Sequence, residues 1–343
     1  MSQLQTRLCS VLGIELPIIQ TPIGSATTPA LAAAVSNAGG LGMLAVTWLD
    51  LDSLRAAIAE TRALTDRPFG VNLLLEWPAE DRLRACLAEG VEVVSFFWGD
   101  PGPHIDAVHD AGAKVVHTVA SASQARRAAG AGVDVIVAQG WEAGGHVRGE
   151  VATTPLVPRV VDAVDPLPVV AAGGIADGRG IAAALALGAS GVWIGTRFLL
   201  SEEAGTHPAY RERILESVET DTVYSTLFDG GWPNAPHRAL RNETVRRWEA
   251  AGRPASGGRP GEDEVVATRG DGTSIARYSD TIPLADMSGD VTELAMYAGQ
   301  GVGLCFRPQP AGEIVAELTA QTLSQLEVLT KLAGLGASKI GNQ

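Results

Sequence analysis

Eight short runs rich in β-branched and small apolar residues recur along the first two-thirds of the chain, at residues 17–20, 41–46, 69–75, 91–97, 114–119, 133–139, 167–172 and 191–196. Segments with helical spacing and Ala, Leu, Arg and Glu composition separate them, among them residues 29–38, 52–64, 79–89, 123–129 and 180–187. Such alternation specifies parallel strands joined by right-handed crossovers, because adjacent parallel strands need a covering helix. Runs that are apolar on nearly every residue belong to strands buried on both faces, and eight such units close a (β/α)8 TIM barrel. An open doubly wound sheet is the competing fold. The count of eight opposes it, and so does the first strand-to-helix turn, Thr21, Pro22, Ile23, Gly24 and Ser25, which is not a GxGxxG phosphate loop.

A barrel of this class takes about 250 residues, and the chain has 343. The excess sits where the alternation fails, so the expected organisation is a barrel over 1–220, an inserted lid or substrate-binding segment over 221–290, and a C-terminal segment over 291–343. In that last segment Ile314, Leu318, Leu323, Leu326, Leu329 and Leu332 fall at helical spacing and predict a helix that packs back on the barrel. Residues 337–343 are expected to be disordered.

A net charge of -13 opposes a nucleic-acid partner, since phosphate recognition needs a concentrated basic face. Cys9, Cys86 and Cys305 stand far apart with no CxxC spacing, which suggests neither zinc nor a disulfide framework. His104, His109, His207 and His237 show no metal-ligand spacing, and no metal is expected. No run approaches the ~20 apolar residues of a membrane span. A soluble, cytoplasmic enzyme is the expectation.

In a barrel the C-terminal ends of the strands form the active-site face. Those ends carry Gln20 to Gly24, Asn72, His117 and Thr118, Gln139, Ala172 to Gly174, and Gly195 with Thr196. After the sixth run comes Gln139-Gly140-Trp141-Glu142-Ala143-Gly144-Gly145-His146-Val147-Arg148-Gly149, with four glycines in its first eleven residues' loop portion around one acid and one imidazole. Glycine lets backbone N–H groups approach a ligand, and His titrates nearest neutrality, so His146 is the candidate proton-handling group. Glu142 either orients His146, binds a loop N–H or is merely solvated. The loops after strands seven and eight are the usual phosphate site of such barrels. Gly173, Gly174, Gly195 and Thr196, helped by a helix N-terminus near Asp177, therefore point to a phosphate-bearing ligand. By contrast Gly90, Gly112, Gly132 and Gly188 follow helical segments and read as C-caps.

Residues 139–146, together with 171–178, 186–189, 195–198, 38–42, 66–72 and 298–301, resemble the nitronate monooxygenase (2-nitropropane dioxygenase) family of FMN-dependent barrel enzymes. The resemblance implies FMN as cofactor and a small-molecule nitronate or nitroalkane, with O2, as reactants. It places Pro22, Ile23 and Gly24 beside the reactive edge of the flavin. Asn72 and Gln139 would bond its ring or ribityl chain, and Gly145, Ala172, Gly173, Gly174, Gly195 and Thr196 would surround ribityl and phosphate oxygens. His146 matches the family's catalytic histidine, which takes a proton from a nitroalkane or binds the nitro group of a nitronate. Nitrite and a carbonyl compound would be the products. Tyr297 and Gln300 are carried over as pocket candidates, and a homodimer is compatible with the family.

The nearest rival is an NAD(P)H-dependent FMN reductase on the same scaffold, similar to the enoyl-acyl carrier protein reductases or quinone reductases. A flavin-free barrel enzyme is the other class. It lacks support: no nucleophilic Cys lies in the loop after strand six, and Lys114 stands at the wrong end of its run for a Schiff base.

Overall fold

The computed structural model describes residues 4–334. Its central feature is a sheet of eight parallel strands: β1 (Ile18–Gln20), β2 (Gly42–Ala45), β3 (Phe69–Leu74), β4 (Val93–Phe97), β5 (Lys114–Val119), β6 (Val135–Gln139), β7 (Val169–Ala172) and β8 (Gly191–Ile194). From β2 to β8 each pairs with its neighbour in sequence, and β1 pairs with β8. The last seam, between β1 and β2, is closed by an Ile19–Leu41 bridge. The buried Gln20 side chain extends that seam, its Oε1 accepting from Met43 N at 3.0 Å. Gln20 ends the first expected run but serves closure. The fold is the (β/α)8 barrel.

Seven helices follow their strands outward: α1 (Pro29–Asn37), α2 (Leu51–Leu64), α3 (Glu80–Ala88), α4 (Gly102–Asp110), α5 (Ala122–Ala131), α6 (Thr153–Val164) and α7 (Gly178–Ala186). Side-chain caps start several of them, Thr28 for α1, Asp50 for α2 and Ser121 for α5. Gly90, Gly112, Gly132 and Gly188 all hold positive φ just beyond helix ends, as C-caps require. Alternate strand residues divide between two cores. Ile19, Leu41, Met43, Val93, Val116, Val137, Val170 and Trp193 fill the barrel with the Arg7–Leu12 helix plugging its lower end. Ile18, Val71, Phe96, Val115, Ile136, Ala171 and Val192 face the helices.

The eighth barrel helix comes last in the chain. α8 (Ala311–Leu332) packs against α7 and α1, which is the remaining place in the ring. Ile314 and Leu318 on it are buried in the outer core, while Leu329 and Leu332 are exposed. Between Leu200 and Ala311 the chain builds structure above the strand ends: helices Pro208–Glu216 and Glu243–Ala250, a hairpin of Thr222–Ser225 with His237–Leu240, and a three-stranded sheet of Val265–Thr268, Ser274–Ala276 and Ser288–Gly289. The Glu243–Ala250 helix is capped by Asn242, whose Nδ2 also donates to the carbonyls of Thr292 and Leu294. Residues 337–343 lie outside the described residues. No helix among the described residues is long and apolar enough to cross a membrane.

Candidate active site

A cavity of about 400 Å³ opens at the C-terminal ends of the barrel strands. That volume is within the range of small-molecule sites. Pro22, Ile23 and Gly24, in the turn after β1, form one wall. Asn72 from β3 and Gln139 from β6 reach it from the strand ends, with Thr118 of β5 between them. Ala172, Gly173 and Gly174 after β7, and Gly195 and Thr196 after β8, continue that wall, since β8 pairs with β1. Gly145 and His146 lie across the top. All twelve predicted site residues thus line one space. His117 does not line it: strand alternation turns its ring away, into a buried position.

The glycine turns leave an unusual set of donors. None of the backbone N–H groups of Gly173, Gly174, Ile175, Ala176, Gly195 or Thr196 donates to a protein acceptor among the described residues. Buried N–H groups are otherwise almost always paired, so these await a ligand's acceptors. The N-terminus of α7 does not join them, contrary to the sequence expectation. Gly178 N donates to Gln321 Oε1 of α8 at 3.0 Å, and Arg179 N and Gly180 N donate to Asp177 at 2.9 and 3.2 Å. The cradle is the turn, and the helix end is occupied by its own cap.

The loop after β6 is held by contacts its sequence only hinted at. Glu142 accepts from Thr153 N and from Thr153 Oγ1, at 2.9 Å from one carboxylate oxygen in each case, so it caps α6 from outside and does not touch His146. Buried Arg238 donates through Nε and Nη2 to Trp141 O at 3.1 and 2.9 Å and lies over the Trp141 ring. Gly144 passes so close to the 298–299 backbone that a Cβ there would stand 2.4 Å from Gly299 N. Gly299 N in turn donates to Thr196 Oγ1 at 3.0 Å. Gln300 N donates to Glu142 O, and Gln300 lies outside the main cavity, whereas Tyr297 lines it.

His146 belongs to a two-residue strand, Gly145–His146, that pairs antiparallel with His237–Leu240, placing His146 opposite His237. Gln139 Nε2 donates to His146 O at 3.1 Å, fixing the backbone, while Gln139 Oε1 is buried without a partner. The imidazole is enclosed by rings. Trp232 lies 4.2 Å away, centroid to centroid and tilted by 33°, with Tyr297 at 5.4 Å, His237 at 5.6 Å and Trp98 at 6.3 Å. Trp232 contacts Trp98 and Trp77, and Trp77 contacts Trp48, giving an aromatic wall that leads outward. Trp98 takes a left-handed φ of 61°, a conformation that costs a bulky residue energy and that turns its indole into this wall.

Burial in this enclosure, seconded by His237, pushes the His146 imidazole down to about 3. It is neutral at physiological pH, and its Nε2 is buried without a protein partner. His237 is structural at first remove: Nε2 accepts from Phe228 N at 3.2 Å and Nδ1 donates to Ala235 O at 3.0 Å, while burial pushes it to about 4. Two charged lining residues went unforeseen in the sequence, Arg269 and Asp280, both from the segment above the barrel. Neither sits in a motif. Among the described residues no group of three His, Cys, Asp or Glu is placed to hold a metal ion.

Fold and cavity together define an enzyme of the (β/α)8 class with a neutral, unpartnered imidazole over a backbone anion cradle. The family model for nitronate monooxygenase matches residues 5–83 and 78–321. The chain is 44% identical over 254 residues to the (3aS,4S,5R,7aS)-5-hydroxy-7a-methyl-1-oxo-octahydro-1H-indene-4-carboxyl-CoA dehydrogenase of Mycobacterium tuberculosis, covering 73% of this chain and 70% of that protein. It is 36% identical over 363 residues to a nitronate monooxygenase of Pseudomonas aeruginosa, covering 92% and 98%. Among solved structures, FabK from Thermotoga maritima superposes with a TM-score of 0.80 at 35% identity, covering 96% of this chain and 99% of that one. The chain belongs to the nitronate monooxygenase family and is an oxidoreductase.

Proposed function

We propose that the protein is an FMN-dependent nitronate monooxygenase that converts alkyl nitronates, and nitroalkanes by way of them, to carbonyl compounds and nitrite with O2. The observation that carries this reading is the buried Nε2 of neutral His146 in a cavity that is also lined by a row of unpaired backbone donors. Those donors fit a phosphate, and the unpartnered Gln139 Oε1 fits an N–H of a flavin ring. Gly173, Gly174, Gly195 and Thr196 would hold the phosphate end, with Pro22, Ile23, Gly24, Asn72 and Gln139 along the ring and its chain. When bound, FMN supplies the redox chemistry and the reaction with O2. The protein's residues do the rest. His146 accepts a proton from the carbon beside a nitro group, or donates a hydrogen bond to the nitro oxygens of a preformed nitronate. The aromatic enclosure keeps water from both.

A second reading, an NAD(P)H-dependent reductase, is favoured by the likeness to FabK. Reduction of an enoyl substrate calls for a proton donor; an imidazole lowered to about 3 is as ill matched to donating a proton as to accepting one, so its pKa does not separate the readings. A thioester dehydrogenase, in keeping with the 44% identity to the Mycobacterium tuberculosis protein, shares the proton-removal step and would use the same His146. Anaerobic visible spectra separate the three. Loss of flavin absorbance on adding a small alkyl nitronate supports the monooxygenase. Bleaching by NADPH alone selects the reductase, bleaching by an acyl-CoA alone selects the dehydrogenase, and no flavin after reconstitution overturns the cofactor.

A further inference from the structure

A short alkyl nitronate fills little beyond the space beside His146, yet a row of indoles runs on from that ring to the surface. Trp232 stands 4.2 Å from His146, Trp77 4.9 Å from Trp232, and Trp48 4.3 Å from Trp77, centroid to centroid, while Trp98 flanks Trp232 at 4.8 Å. Exposure rises along the row. Trp232 is 4% exposed, Trp77 and Trp98 are half-buried, and Trp48 is 53% exposed. Both ends of the row, Trp232 and Trp48, line the cavity, together with Leu74 and Phe97 at the ends of β3 and β4. The row is assembled from separate pieces of chain: Trp48 follows β2, Trp77 follows β3 and Trp98 follows β4. In a closed ring of eight strands β3 and β4 stand across from β7 and β8, which carry the glycine cradle, so the row is not the phosphate end. Trp232 reaches it from above, on a turn pinned by Gly230 N donating to Tyr278 O at 3.0 Å and Asp280 N donating to Gly230 O at 3.2 Å. Apolar side chains scattered singly on a surface need no explanation, but an exposed indole continuous with a cavity marks a binding surface.

We propose that the row Trp232, Trp77 and Trp48 is a subsite for a ring-bearing apolar substituent of the substrate, and that Trp48 and Trp77 set specificity for it. A substrate whose reacting carbon lies at His146 runs its first carbons along Trp232 and lays its ring against Trp77 and Trp48. That contact takes the exposed indole face and the substrate's own apolar surface out of water together. Trp48 and Trp77 are inclined at 69°, as are Trp77 and Trp232, an edge-to-face arrangement that a further ring can join and a plain alkyl chain cannot. The substrate class is therefore an arylalkyl nitronate in preference to a short alkyl one.

The choice of substrate class rests on the nitronate reading, and the test keeps the two apart. Holoenzyme, Trp48→Ala and Trp48→Phe are assayed by O2 uptake with the nitronates of nitropropane and of a nitrobutane carrying a terminal phenyl ring. Because Trp48 is largely exposed, its replacement leaves the core intact. Wild type should favour the phenyl nitronate in kcat/KM, the ratio should fall about 10-fold in Trp48→Ala, and Trp48→Phe should restore most of it. A wild type without the preference overturns the proposal. So does an equal fall with both nitronates, which makes Trp48 structural, and so does loss of flavin absorbance from Trp48→Ala, which gives the row to the cofactor. Phenylbutyramide, which cannot react, provides a readout free of turnover through quenching of tryptophan fluorescence. If wild type is inert to both nitronates with flavin bound, the nitronate reading fails, yet binding of phenylbutyramide weakened about 10-fold in Trp48→Ala upholds the subsite. Binding that is absent, or equal in the two proteins, overturns it.

Discussion

At the scale of single residues the site is defined by what is left unpaired. His146 Nε2, Gln139 Oε1 and the Tyr297 hydroxyl are buried without partners and belong to residues of one cavity, and unpaired buried polar groups are otherwise rare. His146→Ala should therefore keep its flavin, read from the absorbance ratio of the purified protein, while turnover falls about 10²- to 10⁴-fold. Full activity in that variant would remove His146 from the chemistry. Gly144→Ala tests the frame around it. Its Cβ would meet Gly299 N at 2.4 Å and the Ala298 carbonyl carbon at 2.5 Å, backbone atoms that have no rotamer to yield. We expect a loss of about 1–3 kcal/mol in urea unfolding. The loop that carries Tyr297 should shift, showing as faster amide exchange over 297–301. His146 itself was legible in the sequence, because glycines on either side of one imidazole are seldom written for a plain turn. Asp280 and Arg269 were not, since each is a lone residue in irregular sequence whose place in the cavity exists only once the chain folds over the barrel.

At the scale of elements, the loop after β6 is a strand of a second sheet as well as a loop of the barrel. Gly145–His146 pairs with His237–Leu240, Arg238 ties back to Trp141, and Glu142 holds the start of α6. Glu142→Ala removes the acceptor for Thr153 N and Thr153 Oγ1, and a lost cap of this kind costs about 0.5–2 kcal/mol. The midpoint of thermal unfolding should drop accordingly, with nitronate turnover reduced because His146 lies four residues along the same loop from Glu142; an unchanged midpoint would show that α6 is capped otherwise. The strands were readable because each is apolar throughout, and the order of pairing follows from the count. α6 was harder to see: Pro155 and Pro158 interrupt its helical pattern, yet it forms because Val157, Val160 and Val164 bury one side. The strands of residues 222–225, 237–240 and 265–268 were invisible to periodicity, being short and paired with distant partners.

At the scale of the whole molecule, three buried histidines set the response to acid. Burial lowers His146 to about 3 and His117 and His237 to about 4, below the ordinary 6.5. Below pH 6.5 the unfolded chain binds protons that the folded protein refuses, so stability is full above that point and falls as pH drops toward 4. Asp280, raised to about 6, runs the other way and offsets one part of the loss. Unfolding free energies from urea titrations at pH 7.5 and pH 5 should differ by several kcal/mol, each unit of depression being worth about 1.4 kcal/mol. Replacing His117 with Gln should flatten the slope, and an unchanged slope would mean that His117 gains a partner on protonation. The place of α8 bears on how the protein is made. All eight strands have left the ribosome once residue 194 is through, but the helix that completes the ring spans Ala311–Leu332. At roughly 5–20 residues per second, the nascent barrel waits on the order of ten seconds with the sides of α1 and α7 uncovered. During that interval the growing chain offers a sticky cleft to chaperones and to its neighbours on the same message, and a stalled or truncated product ending before residue 311 is marked for aggregation by that cleft.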